Sequence, residues 1–93
     1  MESFDITPEK CPESFGDVLY QLRVKDRITQ QTLGELIGYS GNAISRWERG
    51  QKLPITIRIV EDLSIVLQLS TMEKNRLRRA FLCDTLKNVL EID

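Results

Sequence analysis

The stretch that decides the fold is residues 29–50, TQQTLGELIGYSGNAISRWERG. Thr29 is suited to cap a helix, because its hydroxyl can accept hydrogen bonds from the orphan backbone N–H groups of a first turn. Leu33, Leu36 and Ile37 follow at helical spacing, and Gly38 stands where a helix ends in the left-handed conformation. This predicts a short helix over residues 30–37. Ser40 is a second capping residue, after which Ala43, Ile44 and Trp47 face a core and Gly50 stops the element. The second helix is therefore expected over residues 41–49.

Working outward, residues 1–13 hold Pro8, Pro12 and scattered acids without apolar periodicity, and read as a flexible acidic arm. Ser14 with Asp17 has the shape of a helix start, and Phe15, Val18, Leu19 and Leu22 recur at i, i+3, i+4 and i+7. That helix should end near residues 25–27. After the loop at 51–54, Ile55, Ile57 and Ile59 alternate with Thr56 and Arg58 as in a strand. The longer pattern of Ile59, Val60, Leu63, Val66 and Leu67 favours a helix capped by Thr56, with Ile57 and Ile65 off its apolar face. Ser70 with Glu73 forms a capping box that opens a helix through Leu77, Ala80 and Phe81. Leu82, Leu86, Val89 and Leu90 then lie nearly opposite Leu77 and Phe81, at 100° per residue. Either the helix breaks near Asp84, or one long helix carries two apolar faces, one of them free for a partner.

The expected class is all-α. The expected organisation is the arm at 1–13, a helical unit at 14–69, and an extension at 70–93 that is a candidate dimerisation element. Two helices of about eight residues joined by a glycine-containing turn at residues 38–40 make the central unit a helix-turn-helix pattern.

Composition narrows the function classes. The chain has 93 residues, 41% apolar and 29% charged, with two cysteines and no histidine. That length supports one small domain. No run approaches the roughly 20 apolar residues that span a bilayer, and no signal-peptide pattern opens the chain, so a soluble, cytoplasmic protein is expected. Cys11 and Cys83 lie far apart with no neighbouring cysteine, and are expected to be ordinary thiols rather than zinc ligands or a disulfide. Without histidine the commonest general base is missing, and no phosphate-binding glycine loop, triad or metal-ligand spacing is present. No enzyme, metal or cofactor is expected. The net charge of −1 hides a gradient: residues 1–14 sum to −3, residues 15–55 to +2, and residues 56–93 to zero. The basic segment is the central one.

From residue 15 to residue 69 the order F-G-x-x-L-x-x-L-R, T-Q-x-x-L-G-x-x-I-G-Y-S and I-S-R-W-E-R-G-x-x-x-P resembles the DNA-binding domain of the phage-repressor and Cro family, also called the xenobiotic-response-element family. The agreement includes Gly34 inside the first motif helix, the turn glycine Gly38, apolar Leu33, Ile37, Ile44 and Trp47, and the Trp-Glu-Arg-Gly run. The resemblance implies a compact bundle of four or five helices, lambda-repressor-like, whose third helix enters the major groove by its N-terminal end. Carried over by position, it implies that Gly41, Asn42, Ser45 and Arg46 face base edges. Arginine suits guanine and asparagine suits adenine, each such pair discriminating by roughly 1–3 kcal/mol. It further implies that Gln30 binds phosphate, and Arg49 and Lys52 are expected as further phosphate contacts. Ser40 is a cap and a candidate phosphate ligand. Arg23 and Glu48 resemble a family ion pair joining the first helix to the recognition helix.

There are two departures from the family pattern. Gly41 stands where many relatives carry a long base-reading side chain, which leaves that position empty. Arg27 stands where relatives often carry glycine, so a differently wound turn is expected there. Among rival readings, Trp47 is expected in the core rather than stacked on a base, and Arg76, Arg78 and Arg79 as a solvated helix face. The leading function is a homodimeric, sequence-specific regulator, a repressor in type, on a palindromic operator in double-stranded DNA. The alternative is a protein-interaction module on the same fold, antitoxin-like or an adaptor, using an apolar face at Ile57, Ile65 or Leu86.

Overall fold

A computed structural model describes residues 11–90. They form five helices: α1 (Phe15–Lys25), α2 (Gln30–Leu36), α3 (Gly41–Glu48), α4 (Ile57–Val66) and α5 (Thr71–Leu90). No strand occurs among the described residues. The arm expected at 1–13 falls outside them except for residues 11–13.

Local chemistry sets most of the boundaries. Ser14 Oγ accepts from the Asp17 N–H (3.2 Å), Thr29 Oγ1 from Thr32 (3.0 Å) and Ser40 Oγ from Ala43 (3.1 Å). At α5 the box is reciprocal: Ser70 Oγ accepts from the Glu73 N–H (3.1 Å) while Glu73 Oε1 accepts from the Ser70 N–H (2.9 Å). Thr56 occupies the cap position of α4, but its side chain makes no capping bond. Gly38 and Gly50 take positive φ, 82° and 75°, where α2 and α3 end. Arg27 takes the same left-handed conformation, φ 58°. The turn after α1 is thus wound as a glycine would wind it, contrary to the expectation, because the Asp26 and Arg27 N–H groups still close onto the last carbonyls of α1.

The core joins all five helices. Phe15, Val18, Leu19 and Leu22 of α1 meet Leu33 of α2, Ile44 and Trp47 of α3, Ile59, Val60 and Leu63 of α4, and Leu77, Ala80 and Phe81 of α5. Phe15 and Phe81 pack edge to face with centroids 5.7 Å apart. The off-stripe residues behave as their spacing requires: Ile57 and Ile65 are exposed.

α5 runs unbroken past Asp84, so the two-faced alternative is the one adopted. Leu77, Phe81 and Cys83 are buried, while Leu82 and Val89 are exposed. The α5 helix also fastens the entry to α1. Asp84 Oδ2 accepts from the Phe15 N–H (2.8 Å), Arg76 Nη2 donates to Glu13 Oε1 (2.6 Å), and Cys11 is disulfide-bonded to Cys83. The disulfide corrects the expectation of two ordinary thiols. Sequence separation does not limit spatial approach, and the return of α5 across α1 brings the two Cα atoms to 5.7 Å.

Candidate nucleic-acid interface

The α2 and α3 helices cross at close range, and small residues permit it. A Cβ on Gly34 would lie 2.5 Å from the Ser40 carbonyl oxygen, and one on Gly16 would lie 2.5 Å from the Trp47 oxygen. These backbone contacts seat α3 against α2 at one end and α1 at the other. Tyr39 covers Trp47, with centroids 5.4 Å apart, and Trp47 is 4% exposed. The tryptophan is therefore a core residue, as its spacing from Ile44 requires.

The opposite face of α3 points outward. Asn42 and Arg46 are exposed, Gly41 and Ser45 half-buried. Gln30, Gln31, Ser40, Gly41, Asn42 and Ser45 line one open cleft of about 390 Å³ between the starts of α2 and α3. Arg46, Arg49 and Lys52 lie outside that cleft, all exposed. Arg49 Nε donates to the Ser45 carbonyl at 3.4 Å, along its own helix. Gln31 was not anticipated from the sequence; the available signal was the missing side chain at Gly41 beside it.

Glu48 is the hub behind this face. Arg23 Nε donates to Glu48 Oε2 (2.5 Å), and Arg23 Nη2 to Oε1 (3.0 Å). Gln30 Nε2 also donates to Oε1 (2.9 Å), and Arg23 Nη1 reaches the Ile28 carbonyl (2.9 Å). The forked geometry is the bidentate one that arginine makes with carboxylates. The Glu48 hydrogen bond holds the Arg23 guanidinium above its ordinary pKa. Because a carboxylate only accepts, Gln30 must turn its nitrogen inward, which leaves its second amide N–H for another acceptor.

Most of the ion pairs lie on the α5 side of the molecule, although Arg79 and Lys87 of α5 join none among the described residues. On the α5 side Arg76 pairs with Glu13, Arg78 and Lys74 with Glu61, and Lys25 with Glu73. Arg76 and Arg78 are thus engaged rather than simply solvated. On the α3 side Arg46, Arg49 and Lys52 have no ion-pair partner among the described residues. Positive charge is left uncompensated where the outward face of α3 lies. The carboxyls on the other side answer to their cations: Glu13 is held below the ordinary carboxylate range first by its hydrogen bond to Arg76, Glu61 by Lys74 and Glu73 by Lys25.

Among the described residues no group of acids and cysteines could hold a metal ion, and no helix is long and apolar enough to cross a membrane. A protein family described as helix-turn-helix matches residues 19–74, from within α1 to the first turn of α5. No curated protein and no solved structure matches the chain.

Proposed function

The chain belongs to the helix-turn-helix family, of the phage-repressor and xenobiotic-response-element type, and from that premise we propose that it is a transcriptional repressor that binds double-stranded DNA sequence-specifically. The α3 helix enters the major groove, where each base pair displays a distinct donor and acceptor pattern. Asn42, Ser45 and Arg46 read base edges from its first turns. Gln30, Ser40, Arg49 and Lys52 hold phosphates. Arg23 and Glu48 position α3 and touch no DNA.

The observation that carries this reading is the exposed polar and cationic face of α3, where Arg46, Arg49 and Lys52 join no ion pair among the described residues, whereas Lys74, Arg76 and Arg78 of α5 each pair with a carboxylate. So few free cations per copy give weak binding by one copy alone, because phosphate contacts supply much of the affinity. The protein acts as a homodimer on a palindrome, with half-sites about 34–36 Å apart, and blocks a promoter by occupying it. Leu82, Leu86 and Val89 on the second face of α5 are the proposed dimer surface.

Selection from random duplex DNA at one salt concentration, repeated with Arg46→Ala and Asn42→Ala, tests the proposal. A palindrome enriched by the wild type and altered or lost in the variants is expected. No enrichment by the wild type refutes it and favours a protein-interaction module, in which Arg46→Ala leaves partner binding unchanged.

A further inference from the structure

Gly41 opens α3 without a side chain, yet the space beside it is not empty. An ideal Cβ on Gly41 would lie 3.0 Å from Gln31 Oε1, 3.1 Å from Gln31 Cα and 3.2 Å from Gln31 N. Gln31, on α2, therefore lays its amide across the first turn of α3. Its Nε2 donates to Glu35 Oε2 at 2.8 Å. Since that carboxylate accepts only, the bond fixes which way the amide faces: nitrogen toward Glu35, oxygen toward Gly41. The amide oxygen and one N–H have no partner among the described residues. Gln31 is exposed and shares the cleft with Gln30, Ser40, Asn42 and Ser45.

We propose that Gln31 is a specificity-determining residue, reading a base edge from α2 at the place where Gly41 supplies no side chain. The inference rests on the DNA-binding reading above and adds to that site a reader outside α3. The absence of a Cβ at Gly41 lets the starts of the two helices approach until the second residue of α2 reaches the level of the first residue of α3. An amide with an available oxygen and an available N–H matches adenine in the major groove, which offers the N6 donor beside the N7 acceptor. Glu35 acts as the positioning residue, because its hydrogen bond sets the orientation of the amide.

The test uses the full chain. A preferred site is first selected from random duplex DNA, and dissociation constants are then measured for that site and each of its single-base-pair variants. Wild type, Gln31→Ala and Gln31→Leu are compared at one salt concentration. The leucine variant keeps the bulk that packs over Gly41, and equal circular dichroism spectra establish that all three fold alike. The expected result is that both variants lose about 5- to 150-fold of discrimination at one A·T pair, adjacent to the pair governed by Asn42. Discrimination elsewhere and non-specific affinity stay unchanged. The proposal is overturned if both variants discriminate at every pair as the wild type does. A uniform weakening over all sequences also overturns it, since that marks a phosphate contact. If the wild type selects no site, the DNA-binding reading fails and takes this inference with it. A wild type that selects a site the variants read equally well removes the role of Gln31 alone.

Discussion

Replacing Glu48 by alanine should be among the most damaging single changes available to this chain. The side chains of Arg23 and Glu48 are only 12% and 5% exposed, and Glu48 accepts three hydrogen bonds, two from Arg23 and one from Gln30. Alanine removes all three and leaves the guanidinium in a site built to hold a charge pair, with only the Ile28 carbonyl as a hydrogen-bond acceptor and the Tyr20 ring 5.5 Å away. Breaking a buried pair on one side costs about 3–5 kcal/mol. A domain of this size has a total stability of only about 5–15 kcal/mol, so Glu48→Ala should be partly unfolded under mild conditions. Removing both charges, with Arg23→Met and Glu48→Leu together, should be less damaging than the single change, because no uncompensated charge remains. Trp47 is the single tryptophan and is buried, so its fluorescence during urea titration reports the transition. With an m-value of roughly 1 kcal/mol/M for a small domain, the midpoint for Glu48→Ala should fall by roughly 3 M or more. A loss below about 1 kcal/mol, the range of solvent-exposed pairs, would refute the reasoning. So would a double variant as unstable as the two single losses added together.

Three other changes probe separate parts of the fold. The Cys11–Cys83 disulfide joins residues 72 apart, and loop entropy gives it about 4 kcal/mol of stability; reductant or Cys11→Ser should lower the melting temperature. The variant should not respond further to reductant, and a wild type equally stable with and without reductant counts against the linkage. Gly16→Ala should destabilise by about 1–3 kcal/mol, since its Cβ would meet the Trp47 and Glu48 carbonyls at 2.5 and 2.6 Å, whereas an open helix position would gain from alanine; an unchanged or higher melting temperature speaks against that packing. Glu13 is held below its ordinary 4.5 by Arg76, so its contribution is complete above that value and is lost as pH falls through the lower folded value. The drop in stability on acidification should therefore be smaller in Arg76→Gln, and an identical drop in both proteins would rule Glu13 out as a source.

Features governed by local chemistry were legible in the sequence. Ser14, Thr29, Ser40 and the Ser70–Glu73 box start helices because each hydroxyl bonds to an N–H within its own first turn. Trp47 was legible as core from its spacing to Ile44, and Gly38 as a helix end from its place after the last apolar residue. What was not legible depends on how helices cross. The approach of Cys11 to Cys83, the bond from the Phe15 N–H to Asp84, and the placement of Gln31 over Gly41 join elements whose mutual angle no periodicity encodes. Arg27 shows a different limit. A non-glycine residue can adopt left-handed φ when neighbouring hydrogen bonds demand it, at a cost of about 1–2 kcal/mol that its identity does not reveal. The resemblance marks Gln30 as a candidate phosphate ligand, but nothing in the sequence signals its bond to Glu48.

In the proposed DNA complex the eight residues of α3 set a limit on how much information that helix can supply. A helix of that length is about 12 Å long, and base pairs are stacked about 3.4 Å apart, so its outward face passes about four of them. Four base pairs read without error carry roughly 8 bits, and such a site recurs by chance about once in 256 positions, far too often among the roughly 10⁶ or more competing sites of a genome. The proposed homodimer would double this to roughly 16 bits, or about one chance match in 65,000 positions, which still leaves about 15 matches per million base pairs. In that complex the remaining discrimination would come from what α3 does not read: the α2 contact proposed for Gln31, the spacing between half-sites and the cost of deforming the DNA between them.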